Sequence, residues 1–150
     1  MDALNSRFSE RNAILATINP ASQGVGTANS GWIPVALFHQ IVALISIGAF
    51  GASATVDAKF QQATNGSGAG AKDITGKALT QLLAAGGNNR QAMIEIRPDD
   101  LDTNAGYTHV QFSITVGTAA TLIQAFIVGS LPRFQTAADR NAASVAQIVA

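Results

Sequence analysis

The sequence predicts a mainly β protein, an antiparallel β-sandwich or jelly-roll-like barrel with an extended N-terminal arm and a C-terminal tail. Three observations point there. Apolar and polar residues alternate over 54–62, 91–97 and 107–116. Gly-, Asn- and Ser-rich turn signals separate these runs. No apolar pattern recurs at helical spacing for the length of a globular helix.

The elements follow in chain order. Residues 1–31 read as an arm and linker. Leu4, Phe8, Ile14, Leu15 and Ile18 are spaced too loosely for an amphipathic helix. Pro20 stops any helical turn, and 21–31 has the Gly, Ser, Ala, Asn and Thr content of a linker. Residues 32–134 form the β domain. A short strand over 32–36 is interrupted by Pro34, and 38–50 is a long strand buried on both faces, with Gly48 at a bulge or bend. In 54–62, Val56, Ala58 and Phe60 face inward and Asp57, Lys59 and Gln61 outward. Residues 65–70 turn, and 73–83 reads as either a short helix or an irregular edge.

Residues 86–89 turn again, and 91–97 places Ala92, Ile94 and Ile96 inward. Pro98 opens a helical turn. The clearest strand puts Thr108, Val110, Phe112, Ile114 and Val116 inward, with Tyr107, His109, Gln111, Ser113 and Thr115 outward. After Gly117-Thr118 the chain returns over 121–128 as a strand apolar on both sides. Where the short turns are hairpins, each strand runs antiparallel to a neighbour. Residues 135–150 form an Ala-rich tail, either a docked short helix or a second arm.

Composition narrows the function. The 150 residues carry 9 basic and 9 acidic side chains, a net charge of zero. Only 12% are charged, against about 25% in an average soluble domain. That balance supplies no cationic footprint for nucleic acid. The 47% apolar fraction is inflated by 28 alanines. Without cysteine there is no disulfide frame, thiolate zinc site or cysteine nucleophile. The most apolar stretch, 41–51, is about half of what a spanning helix needs, and the N-terminus lacks the pattern of a signal peptide. The expectation is a soluble intracellular product without membrane or nucleic-acid partners, and low charge near neutrality favours association.

The motifs that suggest chemistry are incomplete. Gly76-Lys77 lacks the glycine spacing of a phosphate loop, and Ala78 stands where a magnesium-binding hydroxyl is needed. Gly24-Val25-Gly26 and Gly66-Ser67-Gly68 are fragments of a dinucleotide fingerprint outside any strand–helix unit. Asp99, Asp100 and Asp102 beside Glu95 lack the ligand alternation of a calcium loop and fit the first turn of a helix. His39 and His109 have no partners at zinc or catalytic spacing. No catalytic residue, metal or cofactor is assigned. Trp32, Tyr107 and Phe134 lie near the domain edges, as interface anchors or as end caps of the sandwich. The outward faces read as Thr, Gln, Ser and Asn, which suits wet, hydrogen-bonded subunit contacts.

The runs 54–64 and 68–78, then 91–97, 100–102 and 107–110, resemble small structural proteins encoded among tailed-phage head genes. The likeness spans roughly residues 32–134 and contains no catalytic signature. It implies a virion role without fixing which one. The first reading is a capsid decoration (cement) protein on the capsid surface, made in the host cytoplasm. Such a protein binds the major capsid protein as a homotrimer and clamps its neighbours. A head–tail connector or tail subunit is the structural alternative, and a surface carbohydrate-binding module on Trp32 and Tyr107 is the alternative of another class. On this reading Leu4, Phe8, Ile14 and Leu15 order the arm against adjacent subunits, and deleting 1–20 abolishes binding while the domain stays folded.

Overall fold

A computed structural model describes residues 5–134, 136–137 and 140–150. One turn of helix, α1 (Phe8–Arg11), leads into β1 (Asn12–Gln23), β2 (Gly26–Pro34), β3 (Phe38–Ile47), β4 (Thr55–Ala63), β5 (Lys72–Ala78), β6 (Leu82–Leu83), β7 (Arg90–Ile96), β8 (His109–Gly117) and β9 (Thr121–Pro132). These build two packed antiparallel sheets, a β-sandwich. Sheet A has the order β1-β9-β3-β7, and sheet B the order β2-β8-β4-β5 with β6 also paired to β4. Both sheets stay open, so the barrel alternative does not apply.

The core follows from the alternation. Sheet A contributes chiefly isoleucines (Ile41, Ile45, Ile47, Ile94, Ile96, Ile127), and sheet B contributes Val56, Phe60, Val110, Phe112 and Ile114, all buried. Phe60 and Phe112 are directly paired across β4 and β8, their ring centroids 5.1 Å apart and tilted by 59°. Gly129 lets β9 pass beneath the buried Phe38. A Cβ there would stand 2.7 Å from the Phe38 ring and 2.9 Å from Leu15 Cδ1. Gly129→Ala is therefore expected to destabilise the fold by about 1–3 kcal/mol, read as a lower urea midpoint at an unchanged slope.

Two expectations are corrected. Most of residues 12–31, expected as arm and linker, lies in two edge strands, β1 and the greater part of β2. The alternation of β1 is hidden by register shifts between Ile14 and Ala16 and between Ile18 and Ala21. Pro20 is tolerated because its outer side faces no strand. In β2, the Ser30 hydroxyl accepts the Phe112 N–H across the irregularity between Asn29 and Trp32. Deleting 1–20 would thus remove most of a sheet strand. Second, the turns are mostly not hairpins. The chain passes from one sheet to the other between β1 and β2, β2 and β3, β3 and β4, β6 and β7, β7 and β8, and β8 and β9. Of the two readings of 73–83, the irregular edge holds: β5 and β6 lie at the margin of sheet B, where Ile74 alone is buried.

Candidate assembly surface

The two outer faces of the sandwich differ in kind. Sheet B presents a polar face with cross-strand hydrogen bonds. Thr27 and Thr115 share a hydrogen bond of 2.8 Å, and Ser113 Oγ donates to Asn29 Oδ1 at 2.7 Å. Lys59 Nζ and Gln61 Nε2 both donate to Asp73, each at 2.9 Å, and Gln81 donates to Asp57. This is the polar outward face the sequence suggests.

Sheet A presents the opposite. Strand register sets Met93, Leu44 and Phe126 side by side across β7, β3 and β9, with Thr17 of β1 completing the row. The next row holds Glu95, Val42, Val128 and Ile14. Met93 is 64% exposed, Phe126 41% and Leu44 38%. Leu122 extends the patch along β9 and is also exposed. The flanking row, Gln91, Ser46 and Gln124, is polar but uncharged. The long strand β3 is thus buried on one face only, and sheet A corrects the expectation that outward faces are Thr, Gln, Ser and Asn. Residues Val42, Leu44, Met93, Leu122 and Phe126 were not singled out from sequence. The available signal was two strands apolar on both sides in a chain with too few other elements to cover the second side.

The residues singled out from sequence scatter around this face. Leu4 lies outside the described residues. Phe8, on α1, is 72% exposed and stands at the end of sheet A near Val42 and Val128. Ile14 and Leu15 are half-buried on β1, Leu15 against the core. Phe134 is 65% exposed just after β9. Trp32 and Tyr107 serve the 64–71 loop instead. A Cβ on Gly68, which has φ +82°, would stand 2.6 Å from the Trp32 indole nitrogen. The Tyr107 hydroxyl donates to the Gly70 carbonyl at 2.9 Å, and the Lys72 ammonium sits 4.5 Å from the centre of the Tyr107 ring. Asn65 Oδ1 accepts from the Ser67 and Ala69 N–H groups and closes the loop.

The acidic cluster has structural partners. Asp100 accepts the Arg97 N–H at 2.7 Å at the start of a single helical turn and pairs with Lys77 at 3.1 Å. Asp102 pairs with Lys72, and its own N–H donates to Gln62. Among the described residues no three His, Cys, Asp or Glu side chains converge as a metal site, and no helix is long and apolar enough to cross a membrane. His39 and His109 sit on different sheets.

Two carboxyls are held below the ordinary carboxylate range. For Asp73 the causes are the Lys59 hydrogen bond and then that of Gln61, opposed by slight burial. For Asp100, burial pushes upward, and the Arg97 N–H and Lys77 outweigh it. A folded-state pKa below the unfolded one adds stability above the unfolded value, and that stability is lost as pH falls through the folded pKa. Melting temperature is therefore expected to drop as pH falls below about 4. Asp73→Asn should flatten that drop while leaving the other carboxylates' share.

No protein-family model matches the chain, and no curated protein matches it.

Proposed function

We propose that this chain is a virion structural protein, a capsid decoration subunit that lays sheet A on the outer shell and clamps neighbouring major capsid subunits, acting as a homotrimer. The observation that carries the reading is the exposed apolar row Met93–Leu44–Phe126, set against the hydrogen-bonded polar face of sheet B. One face suits contact and the other suits water. The resemblance of residues 32–134 to phage head proteins supplies the shell as the partner.

Size supports repetition. Four strands at about 4.8 Å spacing and some six residues of each give a face about 20 Å on a side. That is about half of the roughly 800 Å² per partner of a stable pairwise interface. One such contact is weak, and subunits gain retention by engaging the shell at several points at once. Quantitative mass spectrometry of purified particles tests the reading. A copy number near that of the major capsid protein, or a fixed large fraction of it, is expected. A few copies per particle would move the chain to the neck or tail, and absence from particles would overturn both placements.

A further inference from the structure

The strand edges of the sandwich are unequally guarded. β1 ends sheet A on one side, with two register shifts and Pro20. β2 and β5 end sheet B. β2 carries Pro34 and an irregularity, and β5 carries Lys72, Lys77 and a Gly76 with φ +76°. Bulges, prolines and lysines are what keep a strand edge from pairing with another chain. β7, the other end of sheet A, has none of them. It runs in unbroken register with β3 from Ile96 to Arg90, without proline, glycine or lysine.

The ladder fixes which backbone groups of β7 face outward. The Gly48 N–H donates to the Leu122 carbonyl at 2.9 Å. Along β3, even-numbered residues therefore turn their backbone groups to β9 and odd-numbered ones to β7. The β7 partners of those odd residues are Arg90, Ala92, Ile94 and Ile96, so Gln91, Met93 and Glu95 turn their N–H and C=O groups away from the sheet. Contacts at the far end agree. Lys77 Nζ donates to the Glu95 carbonyl at 2.9 Å, and Asp100 accepts the Arg97 N–H at 2.7 Å. That end of the edge is closed. Among the described residues no hydrogen bond from another element reaches the outward groups of Gln91 and Met93, and both residues are exposed.

We propose that this open edge pairs antiparallel with β7 of a second copy, about a twofold axis at Ala92. Gln91 of each copy then stands opposite Met93 of the other, and the outward N–H and C=O groups of both residues find partners. The flanks are compatible in charge. The register sets Glu95, with Lys77 and Asp100 behind it, against the turn 86–89 of the other copy, whose Gly and Asn residues carry no charge. The neighbouring cation, Arg90, is turned inward. It bonds the Leu83 carbonyl and lies 4.7 Å from the centre of the Phe50 ring. No like charges are opposed. The two four-stranded sheets become one, and their apolar rows meet at the two Met93 side chains, which are diagonal neighbours. On the shell-binding reading, on which this one point rests, the doubled face reaches roughly the 800 Å² per partner of a stable interface. An isologous contact closes at two copies, so it links copies in addition to any threefold contact.

Sedimentation of the full chain at concentrations up to about 1 mM is expected to show a paired species that grows with concentration. Gln91→Pro removes an outward donor and leaves the β3 ladder intact. It should shift that growth to about tenfold higher concentration while melting near the wild-type temperature. Phe126→Glu, on the face and not the edge, should pair like the wild type. The chain has no cysteine, so an equimolar mixture of Gln91→Cys and Met93→Cys chains reports the register. Opposed Cα atoms about 5.5 Å apart suit a disulfide. Under mild oxidation the mixed pair should form about tenfold faster than Thr27→Cys, on the face of sheet B, links to itself. Absence of both the paired species and the faster link overturns the proposal and leaves the edge to a strand of another protein. Loss of pairing in Phe126→Glu with retention in Gln91→Pro overturns it in favour of a face-to-face pair. Met93→Cys linking to itself faster than in the mixture overturns the axis at Ala92. None of these results alters the copy number on particles, so the two readings fail separately.

Discussion

Phe60→Ala is expected to cost about 3–5 kcal/mol of folding stability. Phe60 and Phe112 are both fully buried and face each other at the centre of sheet B, against the isoleucines of sheet A. Removing one ring forfeits its burial and leaves a cavity that a two-layer sandwich cannot close, because both layers are pinned by their ladders. A domain of this size has about 5–15 kcal/mol in hand, so the alanine variant approaches the unfolding threshold. Phe60→Leu keeps much of the volume and serves as the measurable companion, with a smaller loss. Urea unfolding followed by tryptophan fluorescence checks both, since Trp32 packs at the margin of the same sheet. A midpoint unchanged in Phe60→Ala would contradict the assigned core.

The second large effect is on binding and leaves the fold nearly untouched. Phe126→Glu places a charge in the middle of the apolar row, on the side of β9 that faces away from the core. The stability change is expected to stay below about 1 kcal/mol, since the site is a solvated strand position. Association through sheet A would then require burying an unpaired carboxylate, which costs several kcal/mol. Met93→Lys, on the edge strand β7, should weaken binding less, because the lysine stem can lie along the surface and keep its ammonium in water. A variant that melts like the wild type yet fails to bind separates contact from folding.

What the sequence shows and what it hides divide along physical lines. Strands β4, β7 and β8 are legible because one face meets the core and the other meets water, so their period of two is written in residue type. The turn at Pro98 with its carboxylates is legible because capping chemistry is local. Strands β1 and β2 are not. Register shifts break the alternation of β1, and Pro20 reads as a helix stop where an edge strand accepts it. In β2 the polar run of Asn29 and Ser30 looks like a linker, although both side chains bond to β8.

The candidate surface was half legible. The sequence marks β3 and β9 as apolar on both sides, and it cannot say that Met93, Leu44 and Phe126 stay exposed on the outer side. Whether a second apolar face is core or contact depends on the number of layers, which local pattern does not encode. Trp32 and Tyr107 show the converse. Amphipathic aromatics near an edge suit an interface, and here both hold the 64–71 loop.

The most direct measurement is binding of purified protein to particles assembled without this chain, followed by sedimentation. Wild type and Thr27→Lys, which alters only the polar face of sheet B, are expected to saturate the particles at the same ratio to the major capsid protein. Phe126→Glu is expected to remain in the supernatant while melting at nearly the wild-type temperature. Binding of Phe126→Glu at the wild-type ratio, or loss of binding in Thr27→Lys alone, would contradict sheet A as the contact surface.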